Sequence, residues 1–314
     1  MTGADGFVGR ALSASLHKSG NSVIAAVRGS QAVTTPGVRN VQIADICTAN
    51  WERLLEGVDA VVHLAARAHV VRERNSNALE EFRAVNVQPT IDLFRACQVT
   101  AVKRFVFVSS IGVNGKLTTG TPFTETDLAN PTEPYAISKW EAEESLRVQF
   151  VRDSTSLVIV RPALIYGRNA KGNFLRLMRW IDAGWPLPFG AADARRSFLA
   201  LTSICDLLDK CLTTPIETVQ LFVAADSHSV STRELIDALA FAMNIKRKQW
   251  RVPKKLLSIA AKAVGRSVEF QRLSTSLEVD STRATTTLGW SSNVTLGADL
   301  HAMAETYLRS KNVT

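Results

Sequence analysis

No stretch of the 314 residues approaches the roughly 20 apolar residues of a membrane-crossing helix. The N-terminus lacks the charged, apolar and small-residue zones of a secretory leader, so a cytoplasmic protein is expected. Cysteine is scarce: Cys47, Cys97, Cys205 and Cys211 stand in apolar surroundings without paired spacing. That excludes a zinc site or a disulfide framework and leaves buried thiols as the expectation. Internal repeats and low-complexity tracts are missing too, and with them a repeat array. Charge of one sign is short in one place only. From Lys246 to Arg272 nine basic residues face the single acid Glu269, which matches the whole net charge of +8. The segment carries no nucleic-acid module and no interleaved aromatics, so nucleic-acid binding is not expected. It reads as a solvated basic face with one or two arginines meeting an anionic ligand. The amphipathic KKLLSIAAKAVGR leaves docking on an anionic membrane surface open.

A further absence concerns the opening, MTGADGFVGR. Gly3, Gly6 and Gly9 run into a helical pattern from Arg10 to Lys18, as in a turn that receives a phosphate at a helix N-terminus. Only Met1 and Thr2 precede it, whereas a strand needs about five residues. The first strand is therefore expected to be truncated, with the natural chain starting upstream and its neighbours short of a pairing partner.

What is present alternates. SVIAAVR, VRNVQIADI, VDAVVHLAA, KRFVFVSS and SLVIVRPALIYG read as apolar strands. WERLLEG, a long segment from Ala78 to Cys97 and YAISKWEAEESLRVQF read as the helices between them. Apolar strands joined by helices predict an α/β fold with a doubly wound, Rossmann-like parallel sheet covered on both faces. Beyond Gly167 the rhythm loosens. GNFLRLMRWIDAG looks helical, RRSFLAL and QLFVAAD look like strands, and STRELIDALAFAMN opens with the capping-box spacing of Ser231 and Glu234. The expected division is a dinucleotide-binding domain of residues 1–162 plus about 197–228. A smaller, mostly helical C-terminal substrate lobe would take about 163–196 plus 229–314.

In such a fold ligands bind beyond the carboxyl ends of the strands. NAD-preferring sites usually carry an acid at the end of the second strand, and here that strand ends in Arg28. A guanidinium suits the 2′-phosphate of NADP, so NADP(H) is the preferred cofactor, with NAD(H) as the alternative. In Tyr135-Ala136-Ile137-Ser138-Lys139 the phenol and the ammonium share one helix face at i and i+4. A tyrosine titrates near 10, and bringing it to about 7 takes roughly 4 kcal/mol. A cation close by in a low-dielectric cleft can supply much of that.

TGADGFVG, ADI, VVHLAA, NV at Asn86, FVFVSS, PYAISKWEAE, VRPALIYG, RRSFLAL and LGW follow in order along almost the whole chain. Together they resemble the extended short-chain dehydrogenase/reductase superfamily of nucleotide-sugar epimerases, dehydratases and reductases. That resemblance implies cofactor contacts from Gly3, Asp5, Gly6, Phe7, Val8 and Gly9, with Asp45 and Ile46 flanking the adenine. Leu64, Ala65 and Ala66 would line the middle of the cofactor, joined by Asn86 and Ser109, with Pro162 at the nicotinamide end. Tyr135 would exchange a proton with the substrate oxygen, Lys139 would hold the nicotinamide ribose, and Ser110 would hydrogen-bond the same oxygen. It further implies a UDP-sugar substrate, with Asn173 near the diphosphate or sugar, Arg196 and Arg272 on the phosphates, and a homodimer through the helices around 78–97 and 135–150.

Departures from the pattern narrow the chemistry. Dehydratases of this kind carry an Asp-Glu pair after the catalytic hydroxyl residue, and here Ile111 and Gly112 stand there. Epimerases often read VYG where this chain has Val113-Asn114-Gly115. The closest resemblance is to bacterial UDP-N-acetyl-hexosamine 4-ketoreductases of polysaccharide synthesis. The expected reaction is NADPH-dependent reduction of a UDP-2-acetamido-2,6-dideoxy-4-keto-hexose. A UDP-glucose or UDP-N-acetyl-hexosamine 4-epimerase is the alternative, and a non-catalytic dinucleotide-binding sensor or structural subunit the rival from another class.

Overall fold

The computed structural model describes residues 1–29, 33, 35–68, 77–152, 154–170, 172–184, 194–246, 275–292, 294 and 296–311. In chain order the elements are α1 (Phe7–Lys18), β1 (Ile24–Arg28), β2 (Arg39–Ile43), α2 (Trp51–Leu54), β3 (Ala60–His63), α3 (Ala78–Asn86) and α4 (Gln88–Val99). There follow β4 (Arg104–Val108), α5 (Pro134–Gln149), β5 (Ser156–Pro162), β6 (Leu164–Tyr166), α6 (Asn173–Asp182), β7 (Arg195–Arg196) and β8 (Phe198–Ala200). Last come α7 (Leu201–Thr213), β9 (Gln220–Ala224), β10 (Val230–Ser231), α8 (Thr232–Ala242), α9 (Thr282–Leu288) and α10 (Gly297–Lys311).

The main sheet is parallel throughout, with β1 on β2, β3 on β4, β4 on β5 and β5 on β9. Thr2 bridges Ala26 of β1 on one side and His63 of β3 on the other. The strand order is therefore β2-β1-Thr2-β3-β4-β5-β9, the doubly wound arrangement expected. The place between β1 and β3 is held by two residues. Ala26 N–H donates to Met1 O at 2.9 Å and Thr2 N–H to Val62 O at 3.1 Å. Both neighbours thus find a partner there.

The side chains of the central strands sort by twos onto the two faces. Val106, Val158 and Val160 join the core under α1 and α7. Phe105, Phe107, Leu157 and Ile159 join the core under α4 and α5. All seven residues of β5 are buried, as a strand covered on both faces requires. Each fully buried Val, Leu or Ile contributes about 1.5–3 kcal/mol. A second core gathers Tyr166, Phe174, Met178, Ile236, Leu239, Leu300 and Met303 from β6, α6, α8 and α10. β8 stands between the two, with Phe198 and Ala200 facing the second core and Leu199 the first.

Several expectations are corrected. The single helix from Ala78 to Cys97 is two, α3 and α4, parted at Val87, because Pro89 occupies the first turn of α4 and has no N–H to continue a ladder. SLVIVRPALIYG is two strands, since β6 leaves the main sheet to pair with β8. RRSFLAL likewise divides into β7, antiparallel to β10, and β8. Cys97, Cys205 and Cys211 are buried, but Cys47 is exposed in the turn after β2. The capping box of Ser231 and Glu234 is formed. No helix among the described residues is long and apolar enough to cross a membrane. Arg272 and all of the basic segment except Lys246 lie outside the described residues.

Candidate active site

The glycine turn is backbone packed on backbone. Gly3 has φ +64°, and a Cβ there would lie 2.7 Å from Ala65 N and 2.8 Å from Leu64 C. A Cβ on Gly9 would lie 2.1 Å from Gly3 O. Gly6 N–H closes the turn on Gly3 O at 3.0 Å. Phe7 and Val8 begin α1 and pack against the first core, while Asp5 O accepts from Arg10 Nε at 2.9 Å. No side chain caps α1 and no acid sits in its first turn. Its leading amides are thus left for an anion, and this cradle of bare backbone fits a dinucleotide pyrophosphate.

Two side chains fix the loop beside it. Thr90 Oγ1 donates to Asn86 O at 2.8 Å, so at the 2.9 Å contact with His63 Nε2 the imidazole must be the donor. His63 Nδ1 is then the acceptor, and Thr2 Oγ1 donates to it at 2.7 Å while accepting Ala65 N–H at 3.3 Å. The ring is neutral. Burial pushes its pKa down to about 3, with the Lys139 charge acting in the same direction. Asn86 pairs with both backbone groups of Arg67, at 2.8 and 3.1 Å, and reaches Ser138 Oγ at 3.0 Å. It clasps the loop carrying Leu64, Ala65 and Ala66 to α5. Arg28 is exposed at the carboxyl end of β1. The exposed Asp45 accepts Cys47 N–H at 2.9 Å. That bond, with the Arg28 charge nearby, holds its carboxyl below the usual range. Ile46 is buried in the core, and Pro162 is buried at the end of β5.

Helix α5 opens with Pro134 in its first turn and carries Tyr135, Ser138 and Lys139. Tyr135 is half-buried, its ring edge-on to Phe82 at 6.0 Å. Lys139 is fully buried, with Nζ over the Phe107 ring, 3.9 Å from its centroid. Burial pushes the Tyr135 phenol up to about 12 and the Lys139 ammonium down to about 7. For the tyrosine this is opposite to the expected lowering. A neighbouring cation favours the phenolate, but desolvation penalises both charged forms, and here burial dominates. Ser110 ends the chain's run out of β4, and its Oγ accepts Gly112 N–H at 3.1 Å to cap the short 3-10 turn Ile111–Val113. A Cβ on Gly112 would touch Ala136 Cβ at 3.3 Å and Ser110 Oγ at 3.4 Å. Gly112, two residues on from Ser110, thus lies against Ala136 in the first turn of α5. Ile111 is buried with Val223 and Leu277, so neither position after Ser110 can move a proton.

Ser109 turns its hydroxyl to a partner that the sequence did not announce. Its hydroxyl donates to Glu143, which is fully buried and ion-paired with Arg161 at 2.6 Å. Arg161 in turn donates to Asn114 Oδ1 at 2.9 Å. Sequence reading missed Glu143 and Arg161, although a charge inside the buried run SLVIVRP signals a buried partner. Asn173 is exposed at the start of α6, where its Oδ1 accepts from Arg176 at 2.8 Å. Arg196 is half-buried in β7.

Comparison with known proteins agrees with this geometry. Residues 1–223 match the NAD dependent epimerase/dehydratase family. A UDP-glucose 4-epimerase of Vibrio cholerae is 37% identical, covering 99% of this chain and 96% of its own. A Bacillus cereus UDP-glucuronic acid 4-epimerase solved with NAD superposes with a TM-score of 0.78 at 20% identity over 98% of each chain. A Thermotoga maritima UDP-glucose 4-epimerase with UDP-glucose does so with a TM-score of 0.77 at 20% identity, over 99% of this chain and 98% of its own. These relatives are epimerases, so the expected closeness to 4-ketoreductases finds no support. Asn114, which stands where epimerases often carry the tyrosine of VYG, is buried and accepts from Arg161. With its glycine cradle, its Tyr135–Lys139 helix and this match over more than half its length, the chain belongs to the NAD dependent epimerase/dehydratase family.

Proposed function

We propose that the protein is a UDP-sugar 4-epimerase. The observation that carries this reading is the match to the Vibrio cholerae 4-epimerase over almost the full length of both chains. Gly3, Gly6, Gly9 and the head of α1 would hold a nicotinamide dinucleotide, which when bound supplies the hydride acceptor and donor for carbon 4 of the sugar. Tyr135 Oη takes the O4 proton as the C4–H bond breaks and returns it when that bond re-forms on the opposite face. Ser110 Oγ holds O4, and the Lys139 ammonium steadies the negative charge on the tyrosine oxygen. Ile111 and Gly112 offer no acid or base for losing water, which argues against a dehydratase. The test is incubation with UDP-glucose, UDP-galactose and their N-acetyl counterparts. The expected result is interconversion without net change of absorbance at 340 nm. NADPH consumption on a 4-keto sugar nucleotide, with no interconversion, would replace this reading by the reductase.

Arg28 is the observation that favours that second reading, since no acid ends β1. Charge-assisted hydrogen bonds to a 2′-phosphate make Arg28→Asp expected to weaken NADP binding roughly 10–100-fold. Fluorescence titration with NADPH and NADH reads it, and unchanged NADPH affinity would remove the guanidinium from cofactor selection. We also propose a homodimer through α4 and α5, where Val99, Trp140 and Val148 stand exposed. Sedimentation showing only monomer would overturn it.

A further inference from the structure

A second set of polar groups lies behind the catalytic face of α5. Glu143 follows Lys139 by four residues and Tyr135 by eight, so all three lie towards one side of the helix. Its carboxylate accepts from Arg161 Nε at 3.0 and 3.1 Å and from Nη2 at 2.6 Å, and also from the Ser109 hydroxyl. Arg161 Nη1 continues to Asn114 Oδ1 at 2.9 Å, and Asn114 Nδ2 donates to Thr124 O at 2.9 Å. One buried ion pair therefore joins four pieces of chain: α5, the end of β4, the end of β5 and the turn that follows Ser110. These pieces carry Tyr135, Lys139 and Ser110. Glu143 is 0% exposed and Arg161 4%. Burying such a pair is no gain in stability over apolar side chains of similar volume, so its presence here calls for another reason.

We propose that Glu143 and Arg161 are positioning residues of the catalytic site, bracing the Ser109–Ser110 strand end against α5 and setting the field in which Lys139 sits. Among the described residues, the charged and titratable groups facing Lys139 are Glu143 one turn on and Tyr135 one turn back along α5, and the neutral His63 on β3. Arg161 on β5 reaches this site through its ion pair with Glu143. Phe107 on β4 offers only its ring face. Burial drives Lys139 towards the neutral amine, and the Glu143 carboxylate opposes it. Removing that carboxylate leaves burial unopposed, which favours loss of the lysine proton. A neutral Lys139 no longer supports charge on Tyr135 Oη. The brace thus keeps the cation that the proposed proton transfer uses, and in that respect the inference rests on the 4-epimerase reading.

The test begins without substrate. The NMR titration of 13C-labelled lysine side chains, with Lys139→Met identifying the resonance, is compared between wild type and Glu143→Gln. The Lys139 midpoint is expected to fall by about one pH unit or more. An unchanged midpoint would overturn the proposal, whatever the reaction proves to be. A purely structural carboxylate would leave it in place. Turnover gives the second measurement, in a double variant of Glu143→Met with Arg161→Met, which keeps the site neutral where the single change fails to fold. In such a variant, melting near wild type, kcat is expected to fall at least about tenfold with KM little changed, as loosened alignment requires. Wild-type kcat in that folded variant would also overturn it. Failure of the wild-type protein to interconvert UDP-sugars would sink the reaction reading alone, and the lysine titration would still judge the brace.

Discussion

Replacing Tyr135 by phenylalanine is expected to lower kcat by roughly 10²–10⁴-fold, the usual worth of a positioned acid–base group. The fold should not notice. The aromatic ring keeps its edge contact with Phe82 at 6.0 Å, and losing one hydroxyl removes the group whose burial is unfavourable when charged. Cofactor affinity, read by quenching of protein fluorescence, is expected to stay within a few-fold of wild type, because the backbone of the glycine cradle and the head of α1 is unchanged by the substitution. The comparison separates chemistry from binding: kcat falls while the dinucleotide still binds. A kcat within tenfold of wild type would show that another group carries the proton.

Gly9→Ala is expected to have the largest effect on the fold and on cofactor binding. Two effects compete there. Alanine is a better helix former than glycine by about 1 kcal/mol, and Gly9 lies inside α1. Against that, the new methyl would lie 2.1 Å from Gly3 O and 2.7 Å from Ala4 Cα. Both obstacles are main chain, which no rotamer change can move aside. Overpacking of this kind costs about 1–3 kcal/mol or more, so the clash outweighs the propensity. The turn must open to admit the methyl, and the amides at the head of α1 then lose their alignment. A Tm lowered by several degrees and a loss of dinucleotide affinity of at least about tenfold are expected, read by thermal melting and fluorescence titration. A variant with wild-type Tm and affinity would mean that the turn is not held by this contact.

The alternation of apolar strands with helices made the doubly wound sheet readable from the sequence, because buried parallel strands leave continuous apolar runs such as FVFV and LVIV. The Tyr135–Lys139 spacing and the three glycines were equally local signals. The remainder depended on partners distant along the chain. Arg161 meets Glu143 eighteen residues away and Asn114 forty-seven away, and no period or spacing connects them. The direction of the Tyr135 shift depended on how α5 packs against α3, where the ring meets Phe82, which composition does not encode. Ser109 illustrates the same limit. It sits beside Ser110 in the sequence, yet alternation along the chain turns its hydroxyl to the carboxylate behind the helix.

The place of β8 between the two cores bears on how the molecule comes apart. Phe198 and Ala200 fill one core while Leu199 fills the other. A pleated strand cannot release one face and keep the other in register, so loosening the packing around α8 and α10 also withdraws Leu199 from under the main sheet. The strand is therefore expected to couple the two cores, so that they melt in a single transition and damage on either side lowers the stability of both.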